Sequence, residues 1–121
     1  MLTLPPGTRV LVATSRIDGR KGIDGLAALV RTQLAHDPLS GSLFVFFSRR
    51  ADRVRVLYWD RDGYVLITKR LEKGVFRSPW QREDRAHVVV EAAELLLVLE
   101  GIDLASSKRR ERWSPRSASR E

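Results

Sequence analysis

Three stretches in the middle of the chain have the apolar pattern of β-strands. Apolar runs bounded by turn residues cover residues 43–47, 53–59 and 64–71. The last two are separated by residues 60–63, with the sequence DRDG. A glycine in such a turn tolerates the positive φ that tight hairpins require. The pattern therefore predicts three consecutive strands joined by tight turns.

The register of the last two strands decides which side chains share a face. If Trp59 lies opposite Tyr64, alternation along each strand places eight side chains together. These are Arg53, Arg55, Leu57 and Trp59, opposite Arg70, Thr68, Leu66 and Tyr64 in that order. The other face carries Val54, Val56, Tyr58, Val65 and Ile67, with Lys69 at its margin. We expect the second face to be core and the first, which combines cations with aromatic rings, to bind a ligand.

The remaining segments predict a first strand, a short extended stretch and two helices. Residues 9–13 form a short apolar run, and residues 87–90 are short and β-branched. A helix is predicted from residue 22 to about 35, on an apolar stripe formed by Ile23, Leu26, Ala27, Val30 and Leu34. A second helix over residues 91–100 directs Ala92, Leu95, Leu96 and Leu99 inward. The predicted fold class is α+β, a mainly antiparallel sheet of about four strands packed by two helices.

Charge divides the chain into two parts. The 121 residues carry a net charge of +7, and residues 105–121 contain six Lys or Arg against two Glu. This segment is also rich in serine and poor in apolar residues, so it cannot bury enough surface to order itself. We therefore predict one domain over residues 1–104 and a disordered basic tail over residues 105–121. Such a tail attracts phosphate backbones, although a merely solubilising terminus has the same composition.

Composition also limits the chemistry and the compartment. The chain has no cysteine, which excludes disulfides, thiolate metal sites and a cysteine nucleophile. Its apolar runs are too short to cross a bilayer, and its N-terminus is a poor signal peptide. These features predict a cytoplasmic protein.

The carboxylates and histidines give no convincing catalytic constellation. Asp60 and Asp62 flank a turn and have no further carboxylate nearby in sequence to complete a two-metal site. Asp18 suits a turn or a helix cap. The two histidines lack partners at ligand spacing, and residues 16–22 lack the full pattern of an ATP-binding loop. We predict no metal, no cofactor and no enzymatic activity.

Four segments together resemble a known family of small bacterial proteins. These are residues 18–30 (DGRKGIDGLAALV), 37–46 (DPLSGSLFVF), 53–76 (RVRVLYWDRDGYVLITKRLEKGVF) and 95–104 (LLLVLEGIDL). In this order and spacing they resemble the accessory proteins encoded by the second reading frame of IS66-family insertion sequences. These TnpB-type proteins are unrelated to the RNA-guided nucleases that share the TnpB name. The resemblance implies participation in DNA transposition beside a separate transposase, and it supplies no catalytic residues.

Two binding hypotheses follow, with DNA or the transposase of the same element as partner. The DNA hypothesis, in which the element ends are candidate targets, rests on Arg20, Lys21, Arg53, Arg55, Trp59, Tyr64, Arg70, Lys108, Arg109, Arg110 and Arg112. The rival is a module that docks on the transposase through Trp59, Tyr64 and Trp80 as apolar anchors. A third alternative is metal-dependent phosphoryl transfer involving Asp60 or Asp62. The sequence also allows a helix to cover Trp59, Leu57 and Leu66, which would leave the arginines at its rim.

Overall fold

The secondary structure follows the order predicted from the apolar pattern. A computed structural model describes residues 7–103 and 108–109. The strands of the main sheet are β1 (Val10–Ala13), β2 (Leu43–Phe47), β3 (Arg53–Asp60), β4 (Gly63–Arg70) and β5 (His87–Val90). The helices are α1 (Ile23–Thr32), between β1 and β2, and α2 (Ala92–Leu99), after β5. A 3-10 turn spans Pro79–Arg82, and a two-stranded ribbon pairs β6 (Ile102–Asp103) with β7 (Lys108–Arg109).

The main sheet has five strands in the order β4-β3-β2-β1-β5. All neighbours are antiparallel except β1 and β2, which run parallel because α1 connects them. The predicted α+β class is confirmed. The sheet exceeds the expected four strands because residues 87–90 pair with β1 along its outer edge.

Burial across the sheet explains why its strands have different sequence patterns. The central strands β1 and β2 are buried along their whole length, and their sequences, VLVA and LFVFF, are apolar without alternation. Strand β3 pairs with β4 in the predicted register, with Trp59 opposite Tyr64 and Arg53 opposite Arg70. Exposure increases from β3 to β4, which is an edge strand.

Each face of the sheet has its own core. On one face Val54 and Val56 pack with Phe76 and Trp80 and with the inner side of α2. On the other face Leu57 packs with Phe44 and with the buried stripe of α1, and Tyr64 and Leu66 lie against the same cluster. The sheet is therefore a middle layer between α1 and α2. The alternative in which a helix covers Trp59, Leu57 and Leu66 is observed for Leu57 and Leu66, whereas Trp59 does not belong to this cluster.

The two helices differ in how well their predicted inward faces agree with the structure. The α1 stripe is confirmed for Leu26, Ala27 and Val30, which are buried, whereas Ile23 is 36% exposed, so the prediction for Ile23 was wrong. In α2 the buried residues are Leu95 and Val98, whereas Leu96 is 59% exposed, so the prediction for Leu96 was wrong. Nearly every position of α2 is apolar, so its sequence, AAELLLVL, contains little polar contrast to set the rotation of the helix.

Local backbone geometry corrects two further expectations. The positive φ of the β3–β4 turn falls on Arg61, at 54°, and not on Gly63. Helix α1 is shorter than predicted: it ends at Thr32, and Ala35, at the predicted end, has a positive φ of 52° that is not helical. No helix in the described part of the chain is long and apolar enough to span a bilayer.

The predicted C-terminal tail overlaps the ribbon of β6 and β7. Within residues 105–121 the structure describes only Lys108 and Arg109, whose backbones pair with Asp103 and Ile102. The domain boundary after residue 104 and the disorder of the tail remain predictions. Arg110 and Arg112 lie outside the described residues.

Candidate nucleic-acid interface

Three segments that are distant in sequence meet at one end of the sheet. They are residues 18–22 after β1, residues 48–52 between β2 and β3, and the paired ends of β3 and β4. Backbone hydrogen bonds hold the first two together: Ile17 N donates to Phe47 O at 3.0 Å, and Arg49 N donates to Ile17 O at 3.0 Å. The register then brings the β3–β4 end alongside, because Arg53 pairs with Arg70.

Two adjoining clefts occupy this end of the molecule. The first, of about 410 Å³, is lined by Asp18, Gly19, Arg20, Ser48, Arg49, Arg50, Asp52 and Arg53. The second, of about 390 Å³, is lined by Gly19, Arg20, Lys21, Gly22, Arg53, Arg55, Thr68 and Arg70. We use the name basic end for the cations of both clefts: Arg20, Lys21, Arg49, Arg50, Arg53, Arg55 and Arg70. The basic end therefore contains all the DNA-binding cations that were predicted outside the tail, namely Arg20, Lys21, Arg53, Arg55 and Arg70.

Asp18 and Arg20 shape the loop that separates the clefts. Arg20 Nε and Nη2 donate to the two carboxylate oxygens of Asp18 at 3.2 and 3.1 Å, and Arg20 N donates to Oδ1 at 2.9 Å. These bonds lower the pKa of Asp18 to about 2, with smaller help from the charge of Arg49. Asp18 is thus a turn residue, and it does not cap α1, whose N-cap is Gly22.

Arg55 differs from the other arginines because it is buried. Only 8% of the residue is exposed, and its Nη1 donates to Gly19 O at 2.7 Å. Burial, and then repulsion from Arg53, lower the pKa of Arg55 below its usual value. Its Nε has no acceptor within the described residues. Arg55 therefore forms the wall of the second cleft, whereas Arg53 and Arg70 form its rim.

The predicted aromatic residues lie at the opposite end of the same hairpin. The rings of Trp59 and Tyr64 meet edge to face, with centroids 5.1 Å apart. Arg53 and Trp59 are six positions apart, which is about 20 Å along a strand. Between them Leu57 is fully buried beneath the α1 cluster. The structure therefore does not bring the aromatic residues and the cations together as one surface.

Trp80 is not available as an exposed anchor for a partner. It is only 7% exposed and belongs to the core beneath α2. Its backbone N donates to Ser78 Oγ at 3.3 Å at the start of the 3-10 turn. The expectation that Trp80 is exposed was wrong, because the 3-10 turn over Pro79–Arg82 places its side chain in the core.

The acidic residues considered for metal chemistry are dispersed. Asp60 and Asp62 lie at the β3–β4 turn, far from the basic end. Within residues 7–103 and 108–109, no group of three or more His, Asp or Glu side chains is placed to hold a metal ion. Asp52, which lines the first cleft, accepts a hydrogen bond from Ser48 Oγ at 3.1 Å.

Sequence reasoning missed two features that depend on tertiary contacts. Arg49 and Arg50 were not included among the predicted DNA-binding residues, because a charged turn is usually only solvated, yet they line the first cleft. His36 and His87 are 51 positions apart, but their rings pack edge to face with centroids 4.6 Å apart. The hydrogen bonds that join residue 17 to residues 47 and 49 position Arg49 and Arg50, and they could not be predicted from the sequence.

Comparison with known proteins places the chain in a family. The family model described as "IS66 Orf2 like protein" matches residues 8–109. The uncharacterized protein y4jC of Sinorhizobium fredii is 42% identical over 104 residues, which cover 86% of this chain and 87% of that protein. The uncharacterized protein y4hO of the same organism is 37% identical over 93% of this chain and 96% of its own length. No solved structure matches the chain. The chain belongs to the IS66 Orf2-like family and is an accessory protein associated with insertion sequences.

Proposed function

We propose that this protein is a non-catalytic accessory factor of DNA transposition that binds DNA through its basic end. The observation that supports the proposal most strongly is the convergence of seven cations from three segments on two adjoining clefts. Such a concentration of positive charge favours a phosphate backbone, whose neutralisation releases counterions.

The pairing of Arg53 with Arg70 gives separate support. The two residues lie directly opposite each other on neighbouring strands, and like charges in that position reduce the stability of a sheet. Arg70 is partly compensated by Glu72, at 3.0 Å, but the side chain of Arg53 has no carboxylate partner within the described residues. A local cost to stability of this kind is typical of a binding site.

The basic tail is a second source of attraction for DNA. Lys108, Arg109, Arg110 and Arg112 are the tail residues that we include in the proposed contact. They would add nonspecific affinity, whereas the rigidly placed clefts would fix the orientation of the duplex.

Anisotropy measurements with labelled duplexes test the proposal. The probes are the element's own terminal repeat and a shuffled duplex, each titrated with full-length protein over a salt series. A variant with Lys108, Arg109, Arg110 and Arg112 changed to Gln separates the tail from the folded domain. We expect binding that survives in this variant and weakens steeply with salt. Equal weak binding of both probes that disappears with the tail charges would refute DNA recognition by the basic end.

Exposed leucines on α2 support a second candidate function, docking on the transposase. Leu96 is 59% exposed and Leu97 is 44% exposed on the outer side of the helix. Large apolar side chains in such a position are suitable anchors for a protein partner. Changing both residues to Ser should abolish capture of the purified transposase and leave DNA affinity unchanged. If capture is unaffected, α2 is not the docking surface.

A further inference from the structure

The second cleft has a composition that distinguishes it from a merely basic surface. Its ionisable lining residues are all cations, and Gly19, Gly22 and Thr68 supply the rest of the wall. The nearest carboxylate in the loop, Asp18, is held by Arg20 through two side-chain hydrogen bonds. The cleft therefore has an excess of positive charge and a volume, about 390 Å³, that a phosphate group can enter.

The helix that begins at this cleft has an uncapped N-terminus. Gly22, its N-cap, lines the cleft in an extended conformation and offers no side-chain acceptor to the first turn. The first N–H groups of a helix have no partners within the helix and carry a partial positive charge. Asp24 is the acidic residue of the first turn, and it is not part of the cleft lining. An anion beside Gly22 would take the place of the missing cap.

The buried guanidinium of Arg55 provides independent evidence for an anionic ligand. Arg55 lines the same cleft, is 92% buried, and makes one hydrogen bond, to Gly19 O at 2.7 Å, within the described residues. Its Nε is buried without an acceptor. A buried charged donor without a partner costs stability unless a ligand or water satisfies it. The guanidinium lines the cleft while its Nε has no acceptor, so an oxyanion in the cleft can supply the missing partner once the side chain turns toward it.

We propose that the second cleft is a discrete binding site for one phosphate group, held between Arg55, Arg53 and the N-terminus of α1. The inference rests on the proposed function, because it names the chemical group of the nucleic acid that this end of the molecule recognises. The phosphate can come from an internal phosphodiester of a DNA strand or from a phosphomonoester at a strand end. Arg20, Lys21 and Arg70 at the rim would contact the neighbouring part of the same strand.

Titration with inorganic phosphate tests the site without DNA. The measurement is a nitrogen-15 NMR titration of the full-length protein with sodium phosphate, in which chloride is exchanged to keep ionic strength constant. We expect saturable shifts of the Arg55 Nε–H and of the backbone amides of Gly22 and Ile23. Arg53→Gln should weaken binding about tenfold, the effect of one lost charged hydrogen bond. The control Arg31→Gln, at the far end of α1, removes the same charge and should leave phosphate affinity unchanged.

The outcome that overturns the inference is equally specific. If the Arg55 Nε–H resonance is unchanged while surface arginines shift weakly and without saturation, water satisfies Arg55 and the cleft is not a phosphate site. Arg55→Lys keeps the charge but removes Nε, so it should weaken phosphate binding about tenfold. If this variant does not fold, the wild-type titration and Arg53→Gln still decide the result.

Duplex probes distinguish the two sources of phosphate and the two proposals. The arms are the terminal-repeat duplex with 5′-phosphate ends and the same duplex with 5′-hydroxyl ends. If the 5′-phosphate duplex binds more tightly and inorganic phosphate displaces it, the site recognises a strand end. If both duplexes bind equally and inorganic phosphate displaces them equally, the site recognises an internal phosphodiester. DNA binding that Arg53→Gln does not weaken refutes the cleft and leaves the proposed function intact. Saturable phosphate binding without DNA binding refutes the proposed function and leaves the cleft.

Discussion

The two ends of the β3–β4 hairpin share a face of the sheet but have different surroundings. At one end Arg53 and Arg70 stand beside the loops of residues 18–22 and 48–52, which surround them with further cations. At the other end Trp59 and Tyr64 contact each other edge to face. The buried Leu57 separates the two ends because α1 packs on the middle of the hairpin. Strand alternation thus identifies which residues share a face, but the neighbouring elements decide which of them can bind a ligand.

The largest expected effect is a loss of stability on truncation of Leu57, which lies between the two ends. This side chain is fully buried, so Leu57→Ala should lower the free energy of unfolding by about 2–5 kcal/mol. Urea denaturation followed by tryptophan fluorescence measures the change. DNA affinity of the folded fraction should stay the same. A stable variant would contradict the division of the hairpin into two ends by a core.

The next effect concerns the arginines that only the structure brings to the basic end. Arg49→Gln combined with Arg50→Gln should weaken DNA binding about tenfold and reduce the slope of log affinity against log salt by about 2. Both residues line the first cleft. Anisotropy over a salt series measures both quantities. Unchanged affinity and slope would restrict the interface to the second cleft.

Removal of one negative charge should change affinity in the opposite direction. Asp18→Asn keeps an oxygen that can accept from Arg20 N but releases the guanidinium from its ion pair. We expect DNA to bind a few-fold more tightly, since the exposed ion pair is weakened by solvent and the freed guanidinium can contact a phosphate. Asp60→Asn, at the turn of the hairpin, removes the same charge as a matched control and should leave DNA affinity unchanged. Equal gains in both variants would indicate only a general effect of net charge.

The smallest expected effect is on the pH dependence of stability, and it comes from His36 and His87, which lie outside both ends of the hairpin. Burial lowers the pKa of His87, and the nearby His36, Arg9 and Arg85 lower it further. The unfolded chain then binds a proton more readily than the folded one, so stability should decrease as the pH falls below the usual histidine value of 6.5. His87→Gln should reduce this loss in thermal unfolding measured between pH 7 and 5. The same pH dependence in both proteins would exclude His87 as its source.

The sequence was sufficient for features that depend on local periodicity. The strands of the meander and the register from Trp59–Tyr64 to Arg53–Arg70 are confirmed, because they are specified by alternation and by a turn. The α1 stripe is confirmed except at its first position, Ile23, which is exposed. The rotation of α2 was partly wrong, since a uniformly apolar helix has no polar face to orient it.

The candidate site could be predicted only residue by residue. Arg20, Lys21, Arg53, Arg55 and Arg70 were named separately, and the structure groups them around one cleft. The burial of Arg55 and the inclusion of Arg49 and Arg50 result from how the loop after β1 packs on the β2–β3 turn. Contacts between segments about 30 residues apart leave no periodic signal in a single sequence.

The most direct test of the account compares the removal of two charges at the basic end with the removal of two charges elsewhere. Anisotropy with the terminal-repeat duplex is measured over a salt series for Arg53→Gln/Arg70→Gln and for Arg31→Gln/Arg61→Gln, which have the same net charge. The account predicts at least about tenfold weaker binding and a salt slope reduced by about 2 in the first variant only. Equal losses in the two variants would show that DNA responds to net charge alone and would contradict recognition by the basic end.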